Sequence, residues 1–187
     1  RHANSIDALV LSGSPGFKEQ RFSLVNQMVI KFEAWRREPW EISELMQKAL
    51  FQDANNRFDG PGATGYEWLS RDKLEVQKYV DDPKCGFVLA IGSLVEMFAG
   101  SAISQSTLAI EKIPKSLPMY VFAGSDDPIH GEQADLDRMV DAYRGHGIET
   151  LDYRFYPGGR HEMFNEINKE EVVTDLIDWL GRNLGGK

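Results

Sequence analysis

Residues 151–168 read LDYRFYPGGRHEMFNEIN, and they place His161 just past a strand-forming run, Leu151 to Tyr156, that is closed by Pro157-Gly158-Gly159. An acid holds the equivalent position 34 residues earlier: the apolar run Pro118 to Ala123 stops at Gly124-Ser125-Asp126-Asp127-Pro128. A carboxylate and an imidazole at the ends of successive strands suit the activation of a hydroxyl nucleophile. The carboxylate accepts from one ring nitrogen and fixes the tautomer, which leaves the other nitrogen to take a proton. Neighbouring strands lie about 5 Å apart, so side chains just beyond their ends can touch. Asp127 is the preferred acid because Pro128 fixes the backbone beside it, and Asp126 is the alternative. Neither residue is diagnostic alone, since a loop histidine beside glycines is often a surface residue and an acid after a strand often caps a helix. Their joint placement carries the reading. His130 and His146 have no comparable setting and read as solvated loop residues.

Other chemistries find little support. The sequence has no HExxH, no CxxC and no close His/Cys cluster, so no metal site is expected. It has no P-loop lysine motif, and no cofactor is expected. Ser12-Gly-Ser-Pro-Gly16 follows a strand-like run but lacks phosphate-loop spacing and reads as a strand-end turn. The net charge of −8, from 21 basic and 29 acidic residues, argues against nucleic acid as the main partner. The single cysteine, Cys85, forms no internal disulfide, reads as a small buried side chain and suits a reducing compartment. The apolar stretch Phe87 to Ile103 is broken by Glu96 and several Gly and Ser, so no transmembrane segment is expected.

The elements that must position the acid and the histidine follow from apolar patterning. With 42% apolar and 27% charged residues, the chain of 187 residues is ordinary for a globular domain with a sizeable core. Short aliphatic runs closed by Gly or Pro predict buried parallel strands at 6–12, 118–124 and 151–156. Leu136, Met139, Val140 and Tyr143 recur at helical spacing and predict a helix over 133–145, which completes a βαβ unit. A last helix follows His161, with Asn168 and Glu171 as a capping box and Val172, Val173, Leu176, Ile177 and Leu180 as its apolar stripe. Between the first two strands, 17–116 reads as helical. Phe22, Val25, Val29 and Phe32 share one spacing, and Ile42, Leu45, Met46 and Ala49 another; Ser70 caps a short helix through Val80, and Phe87 to Ala102 is helix again. A Gly/Pro/Asn-rich loop runs from Asp53 to Gly65. The predicted division is therefore sheet core at 1–16, a mainly helical cap insertion at 17–116, and sheet core again, carrying the acid and the histidine, at 117–187.

Five segments carry a family resemblance: Leu9-Val-Leu-Ser-Gly-Ser14, Trp68-Leu-Ser-Arg-Asp72, Asp82-Pro-Lys-Cys-Gly-Phe87, Gly124-Ser-Asp-Asp-Pro128, and Tyr156-Pro-Gly-Gly-Arg-His-Glu162 with Phe164-Asn-Glu166. In this order they resemble the C-terminal part of α/β-hydrolases of the lysophospholipase, monoacylglycerol lipase and serine aminopeptidase-like group. The resemblance implies an α/β fold that supplies the last three strands of the parallel sheet, with a helical cap over the site. It implies serine-type hydrolysis of carboxylic esters, lipid esters among them, with Asp127 as acid and His161 as base. It implies no cofactor.

One element of the family pattern is missing. The chain has no GxSxG elbow, and the resemblance implies that the nucleophile serine and oxyanion donors lie upstream of Arg1. The first strand would then have an open edge, and the chain alone is expected to be inactive and poorly soluble unless the upstream segment or a second copy covers residues 6–12. Apolar residues in the helical stretch, Phe87, Met97 and Phe98 among them, either line an acyl pocket or form the core of the cap; Trp68 either faces substrate or anchors the cap. Two alternatives share these residues: a binding module that has lost catalysis, and an acyltransferase. A cytoplasmic location is expected, with peripheral membrane association left open.

Overall fold

The computed structural model describes residues 3–17, 24–51 and 54–185. Among them, three strands form one parallel sheet in the order β1 (Leu9–Ser12), β2 (Met119–Gly124), β3 (Leu151–Tyr156). Leu9 pairs with Met119, and Met119 with Leu151, so the strands start in step; β2 and β3 end together at Gly124 and Tyr156, past the last β1 pairing of Ser12 with Phe122. β2 is buried along its whole length because it is central and covered on both faces. Its alternating side chains build two cores. Met119, Val121 and Ala123 pack with Leu136, Met139, Val140 and Tyr143 of a helix on one face. Tyr120 and Phe122 pack with Tyr156, Met163, Val172 and Trp179 on the other. The first strand begins at Leu9, three residues later than its pattern suggests, after a single 3-10 turn at Ala3–Ser5.

Helices fill the segment between β1 and β2: α1 (Leu24–Arg36), α2 (Glu44–Phe51), α3 (Lys73–Asp81), α4 (Ile91–Ser104) and the single turn α5 (Thr107–Ile110). Met46, Ile91 and Leu94 are fully buried there and gather Val29, Ile30, Leu89, Val95 and Phe98 around them. Glu33 is buried among them, where Ser43, Arg36 and Arg37 surround its carboxylate. Burial raises its pKa, but these donors outweigh that and hold it below the usual carboxylate value.

Several local expectations are corrected. Phe22, Asp53 and the side chains of Val25 and Ala49 lie outside what the structure describes. Ile42, Leu45 and Phe32 point outward despite their helical spacing, and Met46 is the buried member of the second stripe. The cap of α3 is Asp72, whose carboxylate accepts the Leu74 amide; the Ser70 hydroxyl instead accepts the Asp72 amide and donates to the Asn165 carbonyl. Phe87–Ala90 precedes α4 in non-helical backbone, so Phe87 is not a helical residue.

α6 (Gln133–His146) crosses from β2 to β3 and stops at Gly147. α7 (Lys169–Leu184) closes the described chain. The expected box at its start is not formed: the Asn168 side chain donates to the Glu171 carboxylate rather than capping a backbone amide. The stripe of α7 is Val172, Leu176, Trp179 and Leu180, whereas Val173 and Ile177 face outward. No helix among the described residues is long and apolar enough to cross a membrane.

Candidate active site

The acid loop begins where β2 ends. Gly124 lies so close to the 157–161 loop that a Cβ there would sit 2.1 Å from the Gly159 carbonyl carbon, so no side chain fits between the two loops. The Asp126 amide donates to the Gly159 carbonyl at 2.8 Å and locks the loops together. The turn that follows sends Asp126 and Asp127 in different directions. The Asp126 side chain is 42% exposed and lies 4.0 Å from the Arg57 guanidinium. Asp127 is 1% exposed; its Oδ1 accepts the Ile129 amide at 2.8 Å, and its Oδ2 lies 3.0 Å from His161 Nδ1.

A carboxylate at Asp127 accepts from an Nδ1–H, and this fixes the His161 tautomer with a bare Nε2. No hydrogen bond engages Nε2 among the described residues, and the side chain keeps 27% of its surface open. Two further contacts hold the ring. The Trp68 indole stacks on it with centroids 5.1 Å apart, tilted 39°. Gly13, just past β1, lies under it: a Cβ built at Gly13 would stand 3.0 Å from Nδ1 and 3.1 Å from Cε1. The strand-end turn Ser12–Gly16 thus forms part of the histidine's seat rather than only closing a strand.

The loop bearing His161 is also tied to segment 66–72. The His161 amide donates to the Trp68 carbonyl at 3.3 Å and the Glu162 amide to that of Leu69 at 2.8 Å. Arg160 reaches the carbonyls of Glu67 and Ser70 at 2.6 and 3.1 Å and packs over Phe58 at 4.1 Å. Burial lowers the pKa of this guanidinium, an effect opposed by the nearby Glu166 carboxylate. Glu67 in turn closes the Asn55–Glu67 loop, accepting from the amide and hydroxyl of Thr64 and from Asn55 Nδ2. Burial raises its pKa, but these donors prevail and bring it down to about 2.

Phe87 is 67% and Met97 45% exposed, and Phe98 packs with the Met46–Leu94 cluster. His130 is buried rather than solvated: its Nε2 bonds the Gly124 carbonyl at 3.0 Å, and its ring packs on Phe155. His146 is half-buried, with Nε2 3.0 Å from the Ile113 carbonyl. Both rings satisfy backbone carbonyls that loops leave over, a pairing no local pattern reveals. Among the described residues no cluster of His, Cys, Asp or Glu is arranged to hold a metal ion.

Solved structures share this architecture. A thermostable carboxyl esterase from Bacillus coagulans superposes with a TM-score of 0.82 at 24% identity, covering 97% of this chain and 58% of its own. A lipase in its open form gives 0.79 at 23%, covering 97% and 59%. A monoglyceride lipase from Saccharomyces cerevisiae gives 0.67 at 15%, covering 98% and 58%. The fold is that of the α/β-hydrolases, and the chain spans about three fifths of the length of these relatives. The family model for serine aminopeptidase, S33, matches residues 1–168, and the chain belongs to that hydrolase family.

Proposed function

We propose that the full-length protein containing this chain is a serine hydrolase of carboxylic esters, with lipid esters such as monoacylglycerols or lysophospholipids as its substrate class. Asp127 orients His161, and His161 Nε2 takes the proton of an attacking serine and returns it to the leaving alkoxide. The serine and the oxyanion donors come from a segment preceding these residues. The observation that carries the reading is the 3.0 Å contact between a buried carboxylate and a partly open imidazole, held at the carboxyl ends of adjacent parallel strands. Family membership and the esterase and lipase folds support the same chemistry. In the proposed arrangement the α1–α5 segment shields the site, and Trp68 is a wall of it rather than a remote anchor.

The test is ester hydrolysis by the full-length protein, with a chromogenic short-chain ester and with a monoacylglycerol. Asp127→Asn is expected to lower kcat by about 10⁴, because the wrong tautomer then faces the nucleophile. A loss of tenfold or less, small against that triad magnitude, would remove Asp127 from the role. Product analysis in the presence of an acceptor alcohol separates hydrolysis from acyl transfer.

A further inference from the structure

Glu166 is fully buried, and none of the chemistry above uses it. Its two oxygens meet four N–H groups. Oε1 accepts the amides of Arg71 at 3.1 Å and Arg160 at 2.9 Å. Oε2 accepts Arg71 Nε at 2.8 Å and the Ile167 amide at 3.0 Å. These donors belong to two stretches of chain about ninety residues apart, the 66–72 segment and the histidine loop, and the Arg160 amide immediately precedes His161. Arg71 Nη2 continues the knot to Asn168 Oδ1 at 3.0 Å. The Ser70 hydroxyl crosses the same seam to the Asn165 carbonyl at 2.8 Å.

We infer that Glu166 is a positioning residue for His161: its carboxylate clamps the Arg160 amide, one residue before His161, to the segment that carries Trp68, and so fixes the imidazole against both Asp127 and the indole. A carboxylate suits the task because it accepts on both oxygens and bears the charge that balances Arg71. A glutamine in the same shape has one accepting oxygen and turns an NH₂ toward two donors, so it leaves two part-buried N–H groups without their partner. The loop then relaxes, and a displacement of about 1 Å at a reacting group costs on the order of 10² in rate.

The experiment pairs two readouts. In the full-length protein with ¹⁵N-labelled histidine, the downfield Nδ1–H resonance of His161 reports its bond to Asp127 without any turnover. In the full-length protein, ester kinetics report kcat and KM separately. Glu166→Gln is expected to abolish or shift the resonance and to lower kcat about 10²-fold, with KM changed less than about threefold. Glu33→Gln, which removes another fully buried carboxylate from α1, is expected to lower stability while leaving the resonance in place. A folded Glu166→Gln protein with the native resonance and a kcat within threefold of wild type, well short of the positioning magnitude, overturns the inference. Should that variant not fold, Arg71→Met decides: a shifted resonance with roughly tenfold lower kcat supports the clamp, and native values of both overturn it. The effect on kcat rests on the proposed hydrolase role, whereas the resonance does not. An inactive wild-type protein would thus refute that role while the resonance still judged the clamp.

Discussion

Two adjacent aspartates end β2, and their surroundings separate them. Asp127 is enclosed, with one oxygen on a backbone amide and the other on the imidazole, whereas Asp126 is partly exposed and forms a loose ion pair with Arg57 at 4.0 Å. Removing the Asp126 charge is expected to change kcat by less than about threefold, as an exposed ion pair is worth little; kinetics of Asp126→Asn in the full-length protein check this. Gly13 gives a sharper residue-level expectation. It adopts φ +58, and a methyl group there would press on the His161 ring. Gly13→Ala is expected to lower kcat at least tenfold with KM little changed, since misplacing the base is costly; unaltered kinetics would show that the ring is seated some other way. The pairing of Asp127 with His161 was legible because each follows a strand that stops at glycine. Gly13, Trp68, Arg71 and Glu166 were visible as motif residues without a geometry, because only folding brings segments about ninety residues apart into contact.

At the scale of elements, β2, β3, α6 and α7 could be read from pattern, with boundaries within a residue or two. Uninterrupted apolar runs and a 3.6-residue period are strong local signals. The helical stretch was less legible. Its stripes mark helices correctly but not which face is covered, because Ile42, Leu45 and Phe32 meet no core. In α7 the tryptophan carries the packing: Trp179 is buried and stacks on Tyr120 at 5.5 Å. Trp179→Ala is expected to cost about 3–5 kcal/mol of stability, measured by urea unfolding. The Asn55–Glu67 loop has a pH signature. The Glu67 pKa is about 2 in the folded chain and 4.5 without its donors, so its stabilising contribution is complete above pH 4.5. That contribution is lost as pH falls from 4.5 toward 2. Thermal unfolding of wild type and Glu67→Gln should therefore differ above pH 5 and converge toward pH 2.

At the scale of the molecule, β1 and β3 are the edges of the sheet among the described residues. The amides of Leu9 and Gly13 donate to Pro118 and Phe122 of the β2 side, so the alternate amides, Val10 and Ser12, point away from β2. Solved relatives extend well beyond the matched region, and in the proposed full-length protein a further strand takes these two amides. Hydrogen exchange should be fast at Val10 and Ser12 in this chain and slow in the full-length protein; fast exchange in both would leave the edge uncovered.

The most direct test of the central claim is the labelling rate of the full-length protein by a fluorophosphonate, wild type against His161→Ala. The account expects one serine to be modified rapidly in wild type and at least about 10³-fold more slowly without the imidazole. A folded wild-type protein that does not label, or equal rates in the two proteins, would contradict a catalytic Asp127–His161 pair.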